Sequence, residues 1–188
     1  LDAWTKAGQW QASVPPALFG CDVHGKTLGI VGLGNIGAAV ARRGRLGFNM
    51  PILYSGNSRK TDLEHELGAQ YRSLEQLLAE AGFVSLVVPL SEKTLHLIGQ
   101  RELQLMKPSA ILVNISRGPV VDEAALVHAL QHGTIRGAGL DVYEKEPLSD
   151  SPLFQLKNAV TLPHIGSATH ETRDAMAKLA AENILAVL

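Results

Sequence analysis

Arginine, glutamate and histidine residues in the second half of the chain have side chains suited to acid–base chemistry on an anionic substrate. Arg117 stands in VNISRG, where its planar guanidinium can grip a carboxylate and a neighbouring oxygen, although an arginine alone is more typical of a structural ion pair. His164 stands in LPHIG, and Glu144 and Glu146 stand in GLDVYEKEP. A carboxylate beside an imidazole fixes its tautomer and favours the protonated ring. Spacing alone does not decide which glutamate meets His164.

A glycine-rich turn in the first third of the chain predicts a nucleotide site. The segment GLGNIG follows an apolar run and precedes a helical one. In this pattern the first glycine permits a tight turn, the second lets the backbone approach a pyrophosphate, and the third lets helix and strand pack closely. The pyrophosphate then faces the free N–H groups at the helix N-terminus. The predicted contacts are Gly32, Gly34, Asn35, Ile36 and Gly37.

The loop after the second apolar run distinguishes NADP from NAD. An NAD site usually has an acidic residue about 20 residues further on, which accepts a hydrogen bond from the ribose hydroxyl. Here the run ILY leads into SGNSRK, which has hydroxyls, an amide and two cations but no carboxylate. Such groups bind phosphate, so NADP(H) is the preferred cofactor and NAD(H) a possible one, with a plain solvated loop as the alternative. The predicted 2′-phosphate contacts are Ser55, Asn57, Ser58 and Arg59.

Short apolar runs that alternate with helical segments must position these residues. The predicted strands are Thr27–Val31, Pro51–Tyr54, Val84–Val88, Ala110–Asn114, Ile135–Leu140 and Ala159–Leu162, and the predicted helices are Asn35–Leu46, Leu74–Ala81, Glu123–His132 and a final one that begins at His170 and includes Asp174–Leu188. Nearly unbroken apolar strands are typical of parallel sheets that are covered on both faces. The pattern therefore predicts an α/β fold, a Rossmann-type doubly wound parallel sheet with helices on both faces. Ligands of that fold bind beyond the carboxyl ends of the strands, which is where all the residues named above lie.

Composition excludes several other classes of protein. The chain has 188 residues, 46% of them hydrophobic, and a formal net charge of −1, which gives no electrostatic reason to expect a nucleic-acid or membrane partner. A single cysteine, Cys21, is typical of a reducing compartment, so we expect a cytoplasmic protein. His128 and His132 have a zinc-binding spacing but no third ligand, so no metal site is predicted. The start at Leu1 and the helical character of 174–188 suggest a piece of a longer protein.

Four motifs in sequence order resemble signatures of one enzyme family. GIVGLGNIG, VNISRGPVVDE, GLDVYEKEPL and LPHIGSATHETR are similar to those of the D-2-hydroxyacid dehydrogenases, and most similar to the glyoxylate/hydroxypyruvate and 2-ketogluconate reductase branch. The resemblance implies reduction of a small 2-oxo acid to the D-2-hydroxy acid. It implies that Arg117, Glu146 and His164 are the catalytic residues. It also implies cofactor contacts from Pro89, Ile115, Asp141 and Gly166.

The same resemblance implies the setting of this domain. We expect residues 1–188 to be the NAD(P)-binding domain, with 174–188 leading back to a second, substrate-binding domain, and a homodimer formed through the cofactor domain. Trp4 and Trp10, in the N-terminal arm, would then contact the partner subunit. Because some relatives of the family act as corepressors, a dinucleotide-sensing module without catalysis is the alternative function.

Overall fold

Seven parallel strands form one sheet in the computed structural model, which describes residues 1–187. The strands are β1 (Leu28–Val31), β2 (Ile52–Ser55), β3 (Gln70–Tyr71), β4 (Phe83–Leu86), β5 (Ile111–Asn114), β6 (Gly137–Leu140) and β7 (Ala159–Thr161). Their spatial order is β3-β2-β1-β4-β5-β6-β7, so the chain reverses its direction of winding between β1 and β4. The predicted doubly wound sheet is confirmed. A crevice for ligands is expected at the carboxyl ends of β1 and β4, where the order reverses.

Seven α-helices connect or flank these strands. They are α1 (Asp2–Lys6), α2 (Asn35–Phe48), α3 (Thr61–Leu67), α4 (Leu74–Glu80), α5 (Gln100–Leu105), α6 (Glu123–Gln131) and α7 (His170–Leu185) among the described residues. The Asp122 side chain caps α6 by accepting from the amide of Ala125 at 2.9 Å, and Gly133 follows the helix with a φ of 67°, both as the sequence predicts.

Two apolar clusters pack on opposite faces of the sheet. Along β2, Ile52 and Tyr54 belong to one cluster and Leu53 belongs to the other. Because successive strand residues point to opposite faces, this alternation places helices on both sides of the sheet. The larger cluster lies on the side of α4, α5 and α6, and the smaller one on the side of α2 and α3.

The structure corrects several predicted boundaries. The predicted strand Val84–Val88 ends at Leu86, and Val88 lines cavities beyond the sheet edge. The last helix begins at His170, as the sequence also predicts, because the Thr169 hydroxyl accepts from the amide of Thr172 at 3.2 Å and caps it there. Elements α3, β3 and α5 were absent from the prediction.

The surface of α7 is apolar along part of its length. No described residue of this helix is buried, and Met176, Leu179 and Ile184 are each more than half exposed. Within residues 1–187 no helix combines the length and apolar character that a membrane span requires.

Candidate active site

The turn after β1 has the geometry that a bound phosphate requires. Gly32 has a φ of 99°, and a side chain at Gly37 would overlap the carbonyl oxygen of Gly32, so the start of α2 packs directly on the turn. Gly34, at the N-cap of α2, has no side chain to cap the helix. A Cβ at Gly34 would have nothing within 4 Å, so the turn opens onto free space. The helix N-terminus and this space fit the pyrophosphate of a dinucleotide.

Three adjoining cavities bring most of the predicted nucleotide contacts together. The first, of about 460 Å³, is lined by Gly32, Gly34, Ser55, Asn57, Ser58, Lys60 and Pro89. The second, of about 510 Å³, is lined by Ile36, Pro89, Ile115 and Arg117. The third, of about 500 Å³, is lined by Gly34, Asn35 and Lys60 and by the charged side chains of Arg42, Asp62 and Glu66. Since Pro89 borders the first two cavities and Gly34 the first and third, they form one groove along the carboxyl edge of the sheet.

His164 and Glu146 form the acid–base pair of this edge. The imidazole Nδ1 lies 2.7 Å from the Glu146 Oε2, and the other carboxylate oxygen accepts from the Tyr143 amide at 2.9 Å. Burial raises the pKa of Glu146, but the hydrogen bonds from His164 and Tyr143, with the charges of His164 and Arg117, outweigh it and hold that pKa below its ordinary value of 4.5. The carboxylate is therefore ionised near neutral pH. Because the Glu146 carboxylate binds Nδ1, the Nε2 of the half-exposed ring can contact another molecule.

An aspartate fixes the loop that carries the histidine. Asp141 is 8% exposed, and its two carboxylate oxygens accept from the amides of Ile165 at 2.7 Å and Gly166 at 2.9 Å. His164 itself has a φ of 52°, a left-handed conformation that is unfavourable by roughly 1–2 kcal/mol for a residue with a side chain. The Asp141 hydrogen bonds hold the next two residues in place and so maintain this conformation. Asp141 and Gly166, both predicted as cofactor contacts, thus lie together beside His164.

The loop that carries Arg117 is fixed from two sides. The buried Asn114 accepts from the amide and the hydroxyl of Ser116, at 3.1 and 2.8 Å, and donates to the carbonyl of Arg117 at 3.1 Å. A side chain at Gly118 would overlap the carbonyl group of Tyr143, so only glycine lets this loop pack against the loop after β6. The exposed Arg117 side chain is thereby kept at the groove, and its charge contributes to the low pKa of Glu146.

The two glutamates of the turn after β6 have different partners, and Glu146 is the one that contacts His164. Glu144 pairs with a different histidine, since its Oε1 lies 2.9 Å from the Nε2 of His96. The same oxygen accepts from the amide of Glu123 at 3.1 Å. This second pair joins the loops after β4 and β6 to the start of α6. The sequence shows no sign of it, because His96 lies in an irregular loop with a φ of 48°.

Arg59 does not stand where the phosphate prediction requires a cation. Its guanidinium donates to both carboxylate oxygens of Glu64, from Nε at 3.0 Å and from Nη2 at 2.6 Å, and Arg59 is not among the residues that line the 460 Å³ cavity. Lys60, which the predicted set of contacts omits, borders that cavity and the next. The competing partner was not foreseen because it lies on α3.

His128 and His132 stack on one another on α6 and just after it, with ring centroids 4.0 Å apart. Among the described residues no three His, Cys, Asp or Glu side chains are grouped to hold an ion.

Comparison with family models identifies one match. Residues 1–166 match the model of the D-isomer specific 2-hydroxyacid dehydrogenase, NAD binding domain. A glyoxylate/hydroxypyruvate reductase B from Cronobacter sakazakii is 56% identical over 184 residues, which are 97% of this chain and 57% of that protein. The chain therefore spans little more than half the length of the curated relatives it matches.

Solved structures give the same picture. An NADPH-dependent glyoxylate/hydroxypyruvate reductase from Sinorhizobium meliloti, in complex with NADP and malonate, has a TM-score of 0.89 and 37% identity over 98% of this chain and 57% of that one. A D-isomer specific 2-hydroxyacid dehydrogenase from Lactobacillus delbrueckii, in its NAD-complexed form, has a TM-score of 0.84 and 29% identity over 98% of this chain and 59% of that one. The two relatives thus hold different dinucleotides on the same fold.

Proposed function

The chain belongs to the D-isomer specific 2-hydroxyacid dehydrogenase family, and on that basis we propose that it is the nucleotide-binding part of a 2-oxo acid reductase. The reaction is reduction of the keto group of glyoxylate, hydroxypyruvate or 2-ketogluconate to the D-2-hydroxy acid. The observation that carries the proposal is the 2.7 Å contact between His164 and Glu146, at the same sheet edge as the groove that Arg117 lines. No specific observation favours the corepressor-type sensor.

His164 is the proton donor of the proposed reaction. Gly32, Gly34 and Pro89 in the groove would hold the dinucleotide, whose chemistry would be hydride transfer to the keto carbon. With Nδ1 held by Glu146, the imidazolium presents Nε2–H, and that proton passes to the keto oxygen as charge develops there. Glu146 orients the ring and stabilises its positive charge, and it stays ionised because its pKa is low.

Arg117 is the proposed substrate anchor. A guanidinium binds a carboxylate through two parallel hydrogen bonds, and it can at the same time face the neighbouring keto oxygen. Ile36, Pro89 and Ile115 line the same cavity and give it apolar walls, and lower polarity around the guanidinium strengthens that ion pair. The residue therefore orients the 2-oxo acid and steadies the developing alkoxide.

The proposed cofactor is NADP(H), with NAD(H) as a second possibility. Support comes from Ser55, Asn57 and Ser58, which line the groove with hydroxyl and amide groups, and from Lys60, which adds a cation. No carboxylate lines that cavity, whereas Asp62 and Glu66 line the adjoining cavity of about 500 Å³, so the 2′-phosphate is assigned to the first.

The setting of the domain is also proposed rather than observed. We propose that a second domain closes over the groove, that 174–188 leads towards it, and that two copies associate through the cofactor domain. The exposed apolar residues of α7 and the exposed Trp10 support such contacts. The single cysteine supports a cytoplasmic location.

Turnover of the full-length protein tests the assignment. We expect oxidation of NADPH with glyoxylate or hydroxypyruvate, and a loss of at least about a hundredfold in kcat in His164→Ala with the nucleotide Kd unchanged. Arg117→Ala should raise KM and lower kcat together. His128→Ala, which removes an imidazole far from the groove, is the matched control. Nucleotide binding without turnover in the wild type, or normal turnover in His164→Ala, would refute the proposal.

A further inference from the structure

The loop that follows β2 contains two cations with different surroundings. Lys60 borders the groove beside Ser58, whereas the neighbouring Arg59 does not line it. The backbone of Arg59 lies between two groove residues, so its position along the chain does not keep it out. The side chain is 65% exposed, so packing does not hold it away from the groove. What holds it is the carboxylate of Glu64.

Glu64 is a fixed acceptor rather than a mobile surface glutamate. Its side chain is only 14% exposed, and besides both bonds from Arg59 it accepts from the hydroxyl of Tyr54 at 2.6 Å. Tyr54 is fully buried at the end of β2, and its hydroxyl in turn accepts from the amide of Lys60 at 2.7 Å. Glu64 is thus anchored to the sheet, while the hydrogen bonds described for the Arg59 side chain all go to Glu64.

The charge of Glu64 opposes phosphate binding in this loop. The hydrogen bonds from Arg59, and then from Tyr54, hold the pKa of Glu64 below its ordinary value in spite of its burial, so it is ionised near neutral pH. An ionised carboxylate neutralises Arg59, competes with a phosphate for the same donors, and repels the phosphate directly. In NADH the ribose carries only hydroxyls, so the neutralisation of Arg59, the competition for donors and the repulsion do not apply to it.

We propose that Glu64 is a specificity-determining residue that limits the preference for a 2′-phosphorylated dinucleotide by holding Arg59 out of the groove. This inference depends on the proposed nucleotide site and names a residue that acts on it through another. Lys60, with the side chains of Ser55, Asn57 and Ser58, supplies the phosphate contacts of the wild-type protein. Arg59 is a second cation of the same loop that Glu64 prevents from reaching the phosphate.

Binding of NADPH and NADH to the chain, measured by calorimetry at one fixed salt concentration, tests the proposal. Glu64→Gln removes the charge and keeps an oxygen for Tyr54. We expect the ratio of the NADH Kd to the NADPH Kd to rise roughly threefold to tenfold, because Arg59 is released towards the phosphate. In the double variant Glu64→Gln/Arg59→Ala that gain should disappear.

Glu80→Gln is the matched control, because Glu80 lines none of the three cavities. The Arg72 Nε lies 3.0 and 3.3 Å from the two carboxylate oxygens of Glu80, so the change in charge is identical while Arg59 keeps its partner. The ratio of the two Kd values should stay within about twofold of wild type in this variant. An equal rise in Glu80→Gln would show a general charge effect and overturn the proposal, as would an unchanged or lower ratio in Glu64→Gln.

A further variant keeps the test decisive if Glu64→Gln does not fold. Arg59→Ala in the wild-type background should weaken NADPH binding by less than about twofold, because that guanidinium is already engaged. A tenfold loss would place Arg59 on the phosphate in spite of Glu64 and refute the inference. If the wild type binds neither nucleotide, the proposed function fails and this inference fails with it. If the wild type binds both nucleotides and the ratio of their Kd values is the same in Glu64→Gln, only this inference fails.

Discussion

Replacing Asp141 by asparagine should destabilise the histidine loop by about 2 kcal/mol. The carboxylate accepts from two backbone amides, Ile165 and Gly166, at 2.7 and 2.9 Å. An asparagine keeps one oxygen for one amide and turns its own NH₂ towards the other, so one charge-assisted bond is lost and two donors oppose each other. Hydrogen bonds to charged groups contribute about 1.5–3 kcal/mol. The lower half of that range is expected, because Ile165 is 43% exposed and water can reach the freed N–H.

Urea unfolding of the chain measures this effect. At an m-value of about 2 kcal/mol/M, the midpoint should fall by about 1 M with the slope unchanged. The control is Asp150→Asn, the same chemical change at an exposed position that follows the same strand, and it should stay within about 0.5 kcal/mol of wild type. A midpoint for Asp141→Asn that matches the control would refute the reasoning that Asp141 holds the loop.

Three further predictions concern the turns and the acid–base pair. Gly118→Ala would force its methyl group into the carbonyl of Tyr143, so the free energy of unfolding should fall by about 1–3 kcal/mol in the urea assay. The full-length protein with this change should also lose substrate affinity. The control is Gly47→Ala, whose Cβ meets nothing within 4 Å and which should be neutral or stabilising in the same assay. Gly37→Ala would push the start of α2 off the Gly32 carbonyl and should weaken nucleotide binding at least about tenfold in calorimetry; unchanged binding would argue against the turn as the phosphate site. The lowered pKa of Glu146 means that its contribution to stability is complete above its ordinary value of 4.5 and is lost as pH falls through the lower folded value. The difference in unfolding free energy between wild type and Glu146→Gln should therefore shrink as pH falls below 4.5, and a constant difference would contradict that shift.

The sheet was predictable because its strands are buried on both faces. All four residues of β1 are buried, and such a strand appears in the sequence as an unbroken apolar run. Elements that lack an unbroken apolar run were not predicted. The edge strand β3 has two residues, both exposed, and α3 has the charged sequence TDLEHEL with Leu67 as its only buried residue. Val87 and Val88 were assigned to a strand because apolarity does not distinguish a sheet core from a groove wall.

The site was predictable as a set of loops but not as a set of contacts. The rule that ligands bind at the carboxyl ends of parallel strands brought Arg117, Glu146 and His164 to one edge. Which glutamate meets His164 depends on an irregular turn in which residues two apart face different neighbours, and only the family resemblance indicated Glu146. The pairing of Arg59 with Glu64 was not predictable for a similar reason. A loop cation can bind phosphate only if no carboxylate on the following helix binds it first, and the sequence does not show where that helix lies.

The turn after β6 makes several of the contacts that fix this edge of the sheet. Within six residues it uses Asp141 to fix the amides that follow His164, Glu144 to hold His96 and the start of α6, and Glu146 to orient the imidazole. It also gives the backbone surface on which Gly118 packs, and so sets the position of Arg117. A displacement of this turn therefore moves the proposed proton donor and the proposed substrate anchor together. The contacts made by Asp141 and Glu146 share one loop, so their effects on the free energy of unfolding should not add, as expected for neighbouring residues in one hydrogen-bonded network.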